Sequence, residues 1–169
     1  KNSFGVNLYA VSVQNEPDFD TTYESCVWTG QQIHDFVPYL DATLMASNLA
    51  STKIILPEKS NWSWDLATNT MNDTTTSNLV DILACHNYGS SASPVTQFGT
   101  PCPKTLWETE HYFGSGDDIT NGLAVAAEIH SFLTVAQANA YHYWWLVGSG
   151  NGSIVGSSTA NPSGYRGRQ

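Results

Sequence analysis

Glu16 and Glu110 stand where a chain can set acids to work. Glu16 closes the stretch VSVQNEPDF, in which Leu8, Tyr9, Val11 and Val13 read as a strand. Pro17 stops the ladder there because it has no N–H to give. Glu110 closes TLWETEH, a second strand-like run. Two carboxyl groups at the ends of parallel strands suit hydrolysis of a glycosidic bond: one acid protonates the leaving oxygen, and one carboxylate attacks or activates water. Rings sit at the same strand ends, with His86 and Tyr88 at the end of one run and Trp144 within another. Flat aromatic faces pack on the apolar face of a sugar while polar edges take its hydroxyls.

Other candidates have plainer readings. Glu58 and Glu108 are read as solvated or supporting, with Glu108 on the same strand face as Glu110 and next in line as nucleophile. His34 and His130 fall in helical stripes and read as packing or surface residues. His86 and His111 either donate to a substrate hydroxyl or brace a carboxylate. Trp62 and Trp64 are a subsite wall or a loop anchor, and Trp107 and Trp145 read as core. No ligand spacing such as H-E-x-x-H accompanies His111, so no metal is assigned, and the chemistry requires no cofactor.

The elements that must position these residues are strand-like runs at 6–13, 53–57, 81–87, 105–110 and 140–147. Residues 31–49 place Ile33, Phe36, Val37, Leu40 and Leu44 at helical spacing, with Pro38 expected to kink the helix or begin a second one. Leu123, Ala126, Ala127, Ile129 and Leu133 make another helical stripe. Strand and helix in alternation mean an α/β fold with a parallel sheet and right-handed crossovers. Segments 59–78, 88–104 and 148–164, rich in Ser, Thr, Asn and Gly, read as active-face or surface loops.

Composition narrows the partners. Among 169 residues, 15 acidic against 6 basic give a net charge of −9, which argues against nucleic acid, whose phosphates require clustered Lys and Arg. No stretch has the length of a membrane-spanning helix. Low charge, together with glycosylation acceptor patterns at Asn61, Asn72 and Asn151, points to a secreted, extracellular protein. Three cysteines leave an odd one, and a Cys85–Cys102 bridge is one hypothesis. A carbohydrate-binding module would use the same aromatics, but such modules are antiparallel sandwiches without helix-sized segments.

YAVSVQNEPDF and YESCVWTG, followed by HNYG, LWETEHY and YHYWW in this order, resemble glycoside hydrolase family 30 from about Val6 to Val147. The resemblance implies a retaining mechanism, a (β/α)8 TIM-barrel fold and a side β-domain. It makes Glu16 the general acid/base, Asn15 the holder of the sugar 2-hydroxyl and Glu110 the nucleophile. Trp28, His86, Tyr88, Tyr112 and Trp144 would contact the sugar. YESC followed by WTG looks most like the xylan-cleaving members, so the implied partner is a polysaccharide and the implied activity endo-β-1,4-xylanase. Glucuronoxylan-specific members carry an arginine pair after the tandem aromatics, whereas WWLVGSGNGSIVG has none. Gly, Ser and Asn cannot build a bidentate carboxylate clamp, so cleavage is not expected to depend on glucuronate. A β-1,6-galactanase, a β-1,6-glucanase and a non-catalytic remnant remain the alternatives. By this resemblance residues 1–169 are a partial catalytic barrel, about the last five β/α units of eight, without the first three strands or the side domain.

Overall fold

The computed structural model describes residues 6–113, 118–144, 147–148 and 155–156. Trp145 and Asn151 lie outside them. Five strands lie parallel in chain order: Ala10–Ser12 (β1), Lys53–Lys59 (β2), Ile82–Cys85 (β3), Thr105–His111 (β4) and Ala140–Tyr143 (β5). They form a half-barrel. Three strands, β1, β3 and β5, are shorter than their sequence suggests. Ala10 is the first residue of β1 in register with β2, and Val6, Leu8 and Tyr9 before it are exposed. The last ladder ends at His111 and Tyr143, where β4 itself stops. Residues 147–148 and 155–156 then pair separately as a two-residue parallel ladder (β6 and β7).

Helix α1, Gly30–Ala46, joins β1 to β2. Thr29 caps it through a capping box with Gln32, which satisfies otherwise orphaned N–H groups on the first turn. Gly30 lies so close to the β2–β3 connection that a Cβ there would meet the Leu66 carbonyl oxygen at 3.0 Å. Pro38 does not begin a second helix. It sits on the exposed side of α1, so the His34 carbonyl it leaves without an intrahelical donor is open to water.

The 59–78 segment is more ordered than a loop: a 3-10 turn at Asp65–Ala67 leads into short helices Thr68–Asn72 (α2) and Thr74–Ser77 (α3). Asp73 caps α3 by accepting from the Thr75 and Thr76 N–H groups, and the Thr76 hydroxyl, together with these N–H groups, holds its carboxyl down at about 2. His34 of α1 reaches the same carboxylate at 3.3 Å, tying the two helices together. No helix stands between β3 and β4, and residues 88–104 are irregular apart from turns. Helix α4, Ile119–Thr134, joins β4 to β5.

The main core lies between the sheet and its helices, where Ile33, Val37, Leu56, Leu83, Leu106 and Phe132 are buried. Phe132 anchors α4, packing edge-on against Trp62 and tilted against Tyr141. Leu123 and Leu133, which the helical stripe would bury, are exposed, because only the Phe132 side of α4 meets the sheet. Trp62 and Trp64 are buried and edge-to-face, and Trp62 donates to the Ser93 carbonyl, so both anchor loops. The inner face carries a second, smaller cluster of Ile55, Ile82 and Ala84, with Ala10 and half-buried Trp107 packed on it. All three cysteines are free thiols, which removes the Cys85–Cys102 bridge; Cys85 is buried on the helix-facing side and donates to the Ser63 carbonyl.

Candidate active site

Parallel pairing sends the C-terminal ends of β1 to β5 to one edge, and the chemistry gathers there. After β1 the chain turns at Glu16, whose φ of 43° lies in the left-handed region. A non-glycine residue persists there only where its surroundings hold it. The Glu16 N–H donates to the Glu58 carbonyl at 2.9 Å, and Asp18 accepts from the Ser60 N–H and hydroxyl at 2.8 and 2.7 Å. These bonds pin the loop carrying Glu16 to the end of β2.

Glu58 also has a positive φ, 56°, and lies where the β2–β3 register shifts between Pro57 and Lys59. A second shift occurs in β4, between Glu108 and His111. Bulges of this kind re-aim side chains near active sites. Glu108 aligns with Tyr141 and His111 with Tyr143, two residues that share a face of β5. Glu108 and His111 therefore share that face, toward α4, and Glu110 takes the other. This corrects the expectation that Glu108 and Glu110 point the same way: an unbroken strand would make them do so, and one extra residue reverses it.

The inner side thus receives Glu16, Glu58, His86 and Glu110. His86 is buried, with Nδ1 2.9 Å from Glu16 Oε1 and 3.9 Å from Glu110 Oε1, and Nε2 3.6 Å from Glu58 Oε2. One carboxylate oxygen each from Glu16 and Glu110, together with a His86 ring nitrogen, lie within 4.8 Å of one another. That spacing also admits an ion, and the hydrogen bond between Glu16 and His86 lets the pair share a proton. Burial alone would lower the His86 pKa; Glu58, Glu110 and Glu16 outweigh it and hold it above the ordinary value. The Glu110 carboxyl is raised by burial and by the like charges of Glu16 and Glu58, against the pull of His86 and Tyr88.

Tyr88 donates its hydroxyl to Glu110 Oε1 at 3.0 Å, and burial beside that carboxylate pushes the phenol well above its usual range. Its ring meets His111 edge-on. His111 in turn pairs with Glu128 of α4 at 2.6 Å, and Tyr141 donates to the same Glu128 oxygen at 2.6 Å. His111 therefore braces a carboxylate. Burial would raise the Glu128 pKa, but these partners hold it low.

The remaining candidates lie on the segments that carry these residues or follow them. Asn15 is exposed next to Glu16. Tyr112 is half-buried just beyond Glu110. Trp144 is exposed at the end of β5, its N–H donating to the His111 carbonyl at 3.0 Å. Trp28 anchors the loop after Glu16: its N–H donates to the Pro17 carbonyl and its ring meets Phe36 of α1 edge-on. Glu58 is not solvated but 5% exposed, supporting the site with Ser12 and Thr109 as its partners. The signal was present in the Pro57–Glu58 pair at a strand end, though nothing local distinguished it from a surface acid. Glu108 is likewise fully buried.

The family model described as glycosyl hydrolase family 59 matches residues 1–159. The chain belongs to that family. The motif resemblance to family 30 meets the same barrel in solved structures. A family 30, subfamily 8 xylanase from Clostridium acetobutylicum is 36% identical with a TM-score of 0.82, covering 95% of this chain and 40% of that one. A family 30 endoxylanase from Clostridium papyrosolvens is 31% identical with a TM-score of 0.74, covering 94% and 39%. The glucuronoxylanase XynC of Bacillus subtilis is 33% identical over 95% of this chain. The family 59 chain spans 38% of that relative's length.

Proposed function

We propose that the protein containing this chain is a retaining glycoside hydrolase of β-linked plant cell-wall polysaccharide, with xylan as substrate. The observation that carries this reading is the approach of Glu16 and Glu110 to within 4.8 Å at the carboxyl ends of two parallel strands. Retaining enzymes hold their carboxyl groups about 5–5.5 Å apart, whereas inverting enzymes leave about 6.5–9.5 Å for a water. Glu110, hydrogen-bonded by Tyr88, attacks the anomeric carbon and forms a glycosyl-enzyme while Glu16 protonates the leaving oxygen. Glu16 then takes a proton from the water that releases the sugar. Asn15, Trp28, Tyr112 and Trp144 serve the sugar around this pair.

The xylanase and glucuronoxylanase relatives support xylan as the substrate. The arginine-free WWLVGSGNGSIVG stretch supports cleavage without glucuronate decoration. The acceptor pattern at exposed Asn72 supports an extracellular setting. Proton NMR of the fresh product anomer from the full-length protein tests the mechanism: a β-configured product is expected, and an α-configured one would overturn retention. Parallel digests of linear xylo-oligosaccharide and glucuronoxylan test specificity, with cleavage of both expected and strict dependence on glucuronate refuting it.

A further inference from the structure

Glu58 is buried, yet three parts of the sheet converge on it. Ser12 of β1 donates its hydroxyl to Oε1 at 2.5 Å, Thr109 of β4 donates to Oε2, and Nε2 of His86 lies 3.6 Å from Oε2. An ionised carboxylate only accepts, so hydroxyl donors on both of its oxygens favour that form. Burial opposes ionisation, but His86, Ser12 and Thr109 together hold the carboxyl below its ordinary value.

We propose that Glu58 is a positioning residue that keeps a proton on His86 Nε2, leaving Nδ1 to share a second proton with Glu16. The inference rests on the reading of Glu16 as acid/base. At 3.6 Å the Glu58 contact is too long for a hydrogen bond, but it still sets the sign of the interaction. A lone pair on Nε2 facing a carboxylate is repelled, and an N–H is attracted. Nδ1, 2.9 Å from Glu16 Oε1, is then an acceptor toward a protonated Glu16 or, once it holds the proton, a donor to its carboxylate. Glu16 can alternate between acid and base without any movement of the ring. The balance closes: the proton Glu16 gives to the leaving oxygen is replaced by one from the attacking water.

The charged and titratable groups around His86 come from each neighbouring segment. They are Glu16 after β1, Glu58 of β2, Glu110 of β4 and Tyr88 on its own segment, with Glu108 acting from the other face of β4. Of the three carboxylates within ion-pair distance, Glu58 alone faces Nε2.

Imidazole-nitrogen NMR of the histidine-labelled full-length protein, titrated from about pH 4 to 9, reads the tautomer directly. Nε2 is expected to stay protonated throughout while Nδ1 titrates. Glu58→Gln keeps the shape but loses the charge, so the His86 pKa should fall by about 1. The alkaline limb of kcat/KM should move down with it, whereas Glu58→Asp should leave that limb in place. Should Glu58→Gln fail to fold, Thr109→Val removes one donor and is expected to move the His86 pKa the same way by less. A neutral Nδ1–H tautomer, or a Glu58→Gln protein with lower activity but an unmoved His86 pKa and limb, would overturn the proposal. If Glu110 takes no covalent label, the catalytic reading falls by itself, while the NMR titration still judges Glu58.

Discussion

Glu108 and Glu110, two residues apart on β4, lie on opposite faces of the sheet. The bulge between Glu108 and His111 turns Glu110 toward His86 and Tyr88 and leaves Glu108 buried beside the backbone of β5, where the His142 N–H donates to it at 3.3 Å. The two substitutions should therefore separate cleanly. Glu110→Gln should lower kcat by roughly 10^4-fold or more, the scale on which loss of a nucleophile acts. Glu108→Gln should leave kcat within about threefold, since it touches no reacting group. Steady-state kinetics on xylo-oligosaccharide, with a mechanism-based fluorosugar to label the nucleophile, checks both. Label recovered on Glu108 would contradict this assignment.

Tyr88→Phe removes the hydroxyl that donates to Glu110 Oε1 at 3.0 Å. A hydrogen bond to a charged group contributes about 1.5–3 kcal/mol, which corresponds to roughly 10- to 100-fold in rate. We expect that loss in kcat, with KM changed little. The acid limb of the profile should lie above the ordinary glutamate value of 4.5, because burial raises Glu110. An acid limb below 4.5 would contradict this.

Glu108 should govern the pH dependence of stability. Burial raises its carboxyl from 4.5 to about 8, opposed by the His142 N–H and reinforced by Glu128. Its Oε1 makes no hydrogen bond among the described residues, as suits a carboxyl kept neutral. The folded value exceeds the unfolded one, so the folded state holds the proton through this window. Its stabilisation is complete below 4.5 and declines as pH climbs toward about 8. Glu108→Gln, neutral throughout, should flatten that decline in melting temperature. His86 and Glu110, also raised, act in the same direction, so part of the slope should remain.

Phe132 joins α4 to Trp62 and Tyr141 and is fully buried. Phe132→Ala should cost about 3–5 kcal/mol, the usual penalty for emptying an aromatic site. A lower melting temperature in the full-length protein is expected, with activity retained below it. Leu123→Ala, at an exposed position of the same helix, should change it little.

Local chemistry made much of the protein readable in the chain itself. Alternating apolar runs placed all five strands of the main sheet, and Pro17 and the Pro57–Glu58 pair marked strand ends. Composition turned the reading away from nucleic acid and toward sugar. Strand polarity then put Glu16, His86, Tyr88 and Glu110 on one edge, because parallel pairing leaves them no other. The tertiary structure alone decided which acids face inward. A period of two predicts one face for Glu108 and Glu110, and the register shift that reverses it depends on pairing with β5, where Tyr141 lies opposite Glu108 and Tyr143 opposite His111, a strand too distant along the chain for any local window to hold. Glu58 was equally hidden, since its meaning comes from Ser12, Thr109 and His86, which meet only when separate strands lie side by side.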